Sequence, residues 1–263
     1  MNGLLPGVLG VVFAGVTGLL CGSFASLAAH RMARDQPVIG PVIDDEEACP
    51  SCQAPLGLGD LLPLAAWFLS RGRCRHCAAP LDGAYPFVEA VVAVLFIAVY
   101  LERGMTPPGF LLAALAVGLA MLSAVDLEIG IIPDTILVIL APLGVIYFFT
   151  VGAGTAGALD DILLSIIGGA FAGGLAFAVH YGFKRLRGHE GLGLGDVKFF
   201  AVAGLWLGPF GLPAFMIVSG VSGIAFALLW RRLGGGREFP FGPSLALGLF
   251  LCLQFPALVR IFG

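Results

Sequence analysis

The sequence predicts an all-α, multi-spanning membrane protein, and three observations carry that reading. Of 263 residues, 59% are hydrophobic and only 12% charged, whereas soluble domains carry about 25% charged residues. Mean hydropathy is +0.99. The apolar residues also run in long blocks, several of which reach the roughly 20 residues needed to cross the hydrocarbon of a bilayer. A soluble protein with a large core would need charged outer faces on its helices, and few charges are available.

The first block, 4–29, has no basic stretch before it and exceeds the length of a signal-peptide core, so it reads as a retained span. The polar segment 30–85 follows. Further blocks fall at 86–102, 108–125, 132–151, 159–182, 197–209, 211–230 and 241–262, which makes about eight transmembrane helices. The block 197–209 is short and ends near Gly208-Pro209, as a partial or tilted helix would. Gly and Pro recur inside the blocks, which bundle helices tolerate when neighbours satisfy the freed backbone groups. No internal repeat is evident. Three parts result: a first helix at 1–29, a loop domain at 30–85 and a membrane domain at 86–263.

Basic residues set the orientation. Arg31, Arg34, Arg71, Arg73 and Arg75 follow the first block, Lys184, Arg185 and Arg187 the fifth, and Arg231, Arg232 and Arg237 the seventh. The opposite side holds Arg103 and Arg260. Positive residues remain cytoplasmic, so loops 30–85, 126–131, 183–196 and 231–240 are expected in the cytosol and both termini outside. The net charge of −3 adds little. No nucleic-acid partner is expected.

Segment 30–85 is the one polar stretch long enough for a small domain. Its acidic run, Asp44-Asp45-Glu46-Glu47, reads as a solvated loop. The apolar stretch Leu61 to Leu69 either lies on the bilayer or forms the domain's own core. Two C-x-x-C pairs stand here, Cys49 with Cys52 and Cys74 with Cys77, 21 residues apart. Two such pairs can close a tetrahedron of thiolates, the arrangement of structural zinc. The separation falls just outside the usual 15–20 residues. A pair of disulfides is the alternative, disfavoured in the reducing cytosol; a redox C-x-x-C is a second. Zn²⁺ is the favoured reading, since metal binding would supply folding energy that so small a loop lacks. His76 is expected as a bystander. Cys21 and Cys252 lie in apolar blocks, as small hydrophobes.

Acids are rare at the membrane. Asp126 and Glu128 follow the third block, and Asp196 stands at the entry to the sixth, in Gly193-Leu-Gly195-Asp196-Val-Lys198. The orientation puts Asp126 and Asp196 at one membrane face, where ionisable groups are costly and usually functional. Two carboxylates brought together in low dielectric share a proton. One can then polarise a peptide carbonyl while the other activates water. Gly193 and Gly195 would allow tight turns and close approach of a substrate strand, and Lys198 would hold a nearby carboxylate charged. The alternative is that each Asp caps a helix; for Asp134, in Pro133-Asp134-Thr135, capping is the favoured role. Glu89, just inside the second block, either pairs with a basic residue at the membrane edge or helps bind substrate, and the structural role is the favoured one. His30, Arg31 and His180 are expected to anchor helix ends at the interface.

Taken together these motifs resemble one family. Gly22-Ser23-Phe24 with His30-Arg31, the paired C-x-x-C motifs, Tyr85-Pro86-Phe87-Val88-Glu89, Asp126 through Pro133-Asp134, Gly193 to Lys198 and Phe241-Gly242-Pro243 are similar, in order and over nearly the whole chain, to type IV prepilin peptidases. The resemblance implies an aspartic endopeptidase of the bacterial inner membrane with Asp126 and Asp196 as the catalytic pair. It implies cleavage at the cytosolic face, after a short basic leader ending in glycine, of prepilins and pilin-like proteins that build pili or a type II secretion apparatus. It also implies S-adenosylmethionine-dependent N-methylation of the new terminus, associated with the cysteine domain; the donor's contacts are unassigned. Two positions depart from the family pattern, both in the methylation-associated segment. Ser26 stands where Asn is usual, and Met32-Ala33 follows His30-Arg31 where a Pro is common. A transporter with aspartate proton relays, a membrane methyltransferase without protease activity and a zinc-dependent scaffold are the competing readings.

Overall fold

The computed structural model describes residues 4–38, 51–52, 54, 64–80, 83–152, 157–188, 191–232, 234 and 239–262. Cys49, Arg237 and the acidic run at 44–47 lie outside them. The described residues form nine helices and no β-strand, only an isolated bridge between Arg73 and Pro80. Six helices are long and apolar enough to cross a membrane: α1 (Leu4–Met32), α3 (Ala84–Arg103), α4 (Pro107–Ile129), α5 (Asp134–Gly152), α6 (Ala158–Arg187) and α7 (Leu194–Arg232). The others are α2 (Ala65–Leu69), α8 (Gly242–Gln254) and α9 (Pro256–Phe262). Large apolar side chains lie open on the long helices, Val138 at 71% and Leu163 at 55% exposure among them. Lipid covers such surfaces at no cost where water would not. The chain is a multi-pass membrane protein.

Two compact units divide the chain, Met1–Leu101 and Glu102–Gly263. In the first, α1 packs antiparallel on α3. A Cβ on Gly15 would meet Ile97, one on Gly18 the backbone of Ala93, and one on Gly22 the backbone of Glu89. Small residues on one face let two membrane helices approach to backbone contact. The same pairing brings His30 to 5.5 Å from the Tyr85 ring. Glu89, only 7% exposed, accepts the Leu64 N–H at 2.7 Å and so fixes the entry to α2. The partner is a backbone N–H and not the basic side chain expected.

In the second unit α6 and α7 cross through glycines. A Cβ on Gly168 would lie 2.7 Å from the Cα of Gly208, and one on Gly173 2.9 Å from the Ala201 side chain. The 39 residues of α7 are interrupted at Gly208, whose φ of 65° and ψ of −179° are non-helical. Asp196 and Trp230, near its two ends, line one cavity. A straight helix would hold them about 50 Å apart at roughly 1.5 Å per residue, so the chain reverses at Gly208-Pro209. The expected blocks 197–209 and 211–230 are thus the two arms of one broken element, and the expected eighth block is divided between α8 and α9 at Phe255. Pro209 has no N–H for the Leu205 carbonyl. The buried Ser165 hydroxyl of α6 donates to that carbonyl instead, at 2.6 Å.

Candidate active site

The last turns of α4 bring Asp126 to the cavity. Gly130 ends the helix in the left-handed conformation, φ 68°, and its N–H bonds the Asp126 carbonyl. The Asp126 side chain, 5% exposed, accepts the Gly242 N–H at 2.7 Å. Gly242 is the first residue of α8. Asp126 thus sits near the C-terminus of its own helix, where negative charge is unfavourable, but at the N-terminus of another, where it is favourable.

Asp196 lies in the first turn of α7, three residues after Gly193. A Cβ on Gly193 would stand 3.3 Å from Asp196 Oδ2, so the loop backbone passes close to this carboxylate. Gly195 packs against Ile132, which a Cβ would meet at 3.0 Å. The third residue of a helix can satisfy its first free N–H groups with a carboxylate. Each aspartate therefore faces the positive end of a helix.

Both line a single cavity of about 1300 Å³. Gly130, Gly191, Gly193 and Gly195 bring bare backbone to its lining, while Ile131, Trp230, Phe239 and Phe241 bring large apolar side chains. Asp134 and Lys198 complete the polar lining. Lys198 Nζ bonds both Asp134 oxygens, at 2.8 and 2.6 Å. The carboxylate that Lys198 holds is therefore that of Asp134, which is the first residue of α5.

Two residues that hold this site escaped the sequence reading of their roles. His180 was expected at the interface but is 5% exposed, with Nδ1 2.6 Å from the Leu192 carbonyl. The loop 191–193 folds back over the end of α6 and buries the ring. Gly242 was visible as part of a motif but not as a donor to Asp126, because the two are 116 residues apart.

In the first unit, the sulfurs of Cys52, Cys74 and Cys77 lie within 4.8 Å of one another. Cys52 and Cys74 sulfurs are 3.9 Å apart, far beyond the roughly 2.05 Å of a disulfide. Thiolates about 2.3 Å from a tetrahedral ion would be about 3.8 Å apart. The His76 N–H points at Cys74 Sγ, at 3.4 Å, and Ala78 N–H bonds the Cys74 carbonyl, a turn that presents both thiols to one point. The donor set fits a thiophilic metal.

The model of the bacterial peptidase A24 N-terminal domain matches residues 16–103, and that of the type IV leader peptidase family matches residues 113–228. A prepilin leader peptidase/N-methyltransferase of Burkholderia pseudomallei is 33% identical over 93% of this chain and 85% of its own length. The chain belongs to the type IV leader peptidase family. A second family member of the same name, from Neisseria gonorrhoeae, is 32% identical over 90% of the chain and 87% of its own length. The type 4 prepilin-like proteins leader peptide-processing enzyme of Escherichia coli is 30% identical over 94% of each. No solved structure matches the chain. The leader peptidase model spans α4 to α7, and so contains both Asp126 and Asp196.

Proposed function

We propose that this protein is an aspartic endopeptidase that removes the basic leader of type IV prepilins and pilin-like proteins, with Asp126 and Asp196 as its catalytic pair. The observation that carries this reading is that two carboxylates from separate helices line one cavity whose lining also includes four glycines. An extended peptide can approach bare backbone there. With one proton shared between them, the ionised carboxylate takes a proton from water as its oxygen attacks the peptide carbonyl. The protonated carboxyl donates to that carbonyl oxygen. Collapse of the tetrahedral adduct breaks the C–N bond as the leaving nitrogen takes the proton that the first carboxylate removed from water, while the hydroxyl proton returns to the second. Gly193 and Gly195 let the loop pass beside Asp196, and Lys198 acts at one remove by fixing Asp134.

The family favours a bacterial inner membrane, and the basic residues favour this cavity at its cytosolic face. Cys52, Cys74 and Cys77, with Cys49 as fourth ligand, would hold a structural Zn²⁺ in the segment 30–85. Closed by four thiolates, that site would leave no open position for hydrolysis. The relatives' name supports a second activity, methylation of the new amino terminus, for which S-adenosylmethionine would supply the methyl group.

The test is cleavage of a prepilin by the purified protein in detergent. Asp126→Asn and Asp196→Asn are each expected to abolish it, with rates lower by at least about 10³-fold, within the range for loss of general acid–base groups. Cleavage at an unchanged rate by either variant removes that residue from the pair.

A further inference from the structure

His180 is a buried titratable side chain that peptide hydrolysis does not use. It stands on α6, two turns before that helix ends at Arg187. Its Nδ1 lies 2.6 Å from the carbonyl oxygen of Leu192. A carbonyl only accepts, so the ring carries its proton on Nδ1 and donates it. The ring is stacked on Phe177, at 6.4 Å and 29°. One turn further on, Phe183 meets the same loop from below: a Cβ on Gly191 would lie 2.5 Å from its ring.

These contacts clasp the loop that leads into Asp196. On its other side the Gly193 carbonyl accepts the Val197 N–H at 3.2 Å, which joins the loop to the first turn of α7. Gly191 and Gly193 bring no side chain and have the widest conformational freedom of any residue, and Gly193 is the residue whose backbone runs beside the Asp196 carboxylate. A hydrogen bond at Leu192 pins the peptide between the two glycines, where a small rotation would otherwise swing Gly193 and the start of α7. We propose that His180 is a positioning residue, holding the glycine loop through the Leu192 carbonyl so that Asp196 keeps its place in the cavity it shares with Asp126. His180 touches neither carboxylate and acts through the loop. The rate consequence rests on the catalytic pair proposed above; the loop consequence does not.

Both are read on the full-length protein in detergent. His180→Asn keeps an N–H donor near the position of Nδ1, whereas His180→Phe keeps an aromatic ring on Phe177 without the donor. His180→Gln, which carries its donor farther out, replaces the Phe variant should that one fail to fold. Prepilin cleavage by His180→Asn is expected within about threefold of the unsubstituted protein. His180→Phe, or His180→Gln, is expected to lower kcat by about 10- to 100-fold, the scale of a displacement near 1 Å, with KM within about twofold. Hydrogen–deuterium exchange of the amides at 191–197 should quicken in the same variants while that of α8 stays unchanged. An unchanged kcat and unchanged exchange in His180→Phe, or in the His180→Gln that replaces it, overturns the proposal, and so does an Asn variant equally impaired. If the unsubstituted protein cleaves no prepilin, the peptidase reading fails by itself, and exchange at 191–197 alone decides the clasp.

Discussion

Asp126 illustrates how one hydrogen bond gives a residue its place. Its backbone belongs to the end of α4, where the helix dipole repels an anion, yet its carboxylate accepts from the first N–H of α8. Gly242 must be glycine for that geometry, since a Cβ there would lie 2.7 Å from Asp126 Oδ2 and 2.9 Å from Cγ. Gly242→Ala is expected to displace the carboxylate, destabilising the protein by about 1–3 kcal/mol and lowering kcat by up to about 10²-fold. Thermal unfolding and single-turnover cleavage would measure the two effects separately. The proposed sharing of one proton between Asp126 and Asp196 predicts a bell-shaped dependence of kcat/KM on pH, because that mechanism needs one acid and one base together. A profile flat on either side would contradict a shared proton. Lys198 and Asp134 are 52% and 63% exposed, and an ion pair so open contributes at most about 1 kcal/mol.

At the scale of elements, the reversal of α7 puts Asp196 and Trp230 at the same cavity, and α6 makes the reversal possible. Ser165 satisfies the carbonyl that Pro209 leaves free, and Gly168 lets α6 pass against the backbone at Gly208. Ser165→Ala leaves the Leu205 carbonyl unpaired, which costs about 1–3 kcal/mol for a buried acceptor and should appear as a lowered midpoint of thermal unfolding. Glu89 does similar work in the other unit, tying Leu64 to α3. The cysteine turn nearby would be held by its metal. Cys74→Ser is expected to release about one zinc ion per chain, measurable by metal analysis of the purified protein, while the leader peptidase unit, which contains neither C-x-x-C pair, should retain its cleavage activity.

For the whole molecule, the distribution of basic residues makes an orientation prediction independent of any chemistry. Eleven Lys and Arg residues fall in the loops after the first, fifth and seventh apolar blocks, against Arg103 and Arg260 on the other side. A protease recognition site inserted after Met105 in the full-length chain should be cut from outside in spheroplasts. One inserted after Gly188 should be cut only once the membrane is opened. The reverse pattern would put the Asp126–Asp196 cavity on the outer face and remove the cytosolic reading of cleavage.

Composition and block length were enough to read membrane residence and helical class, because a bilayer demands long apolar segments with internally bonded backbone. The C-x-x-C pairs likewise stood out by their spacing, and the sparse acids at block ends as residue types that are costly where they lie. The shared cavity of Asp126 and Asp196 was an expectation from orientation alone; their partners were not legible. Gly242 reaches Asp126 across 116 positions and Ser165 reaches Leu205 across 40, and no local pattern encodes which backbone group a distant chain segment will present. His180 looked like an interfacial anchor for the same reason, since nothing within α6 shows that the 191–193 loop returns over it. Periodicity and polarity record what a residue requires of its solvent. Which neighbour meets that requirement depends on how the helices cross, and that is settled by packing among segments far apart in the chain.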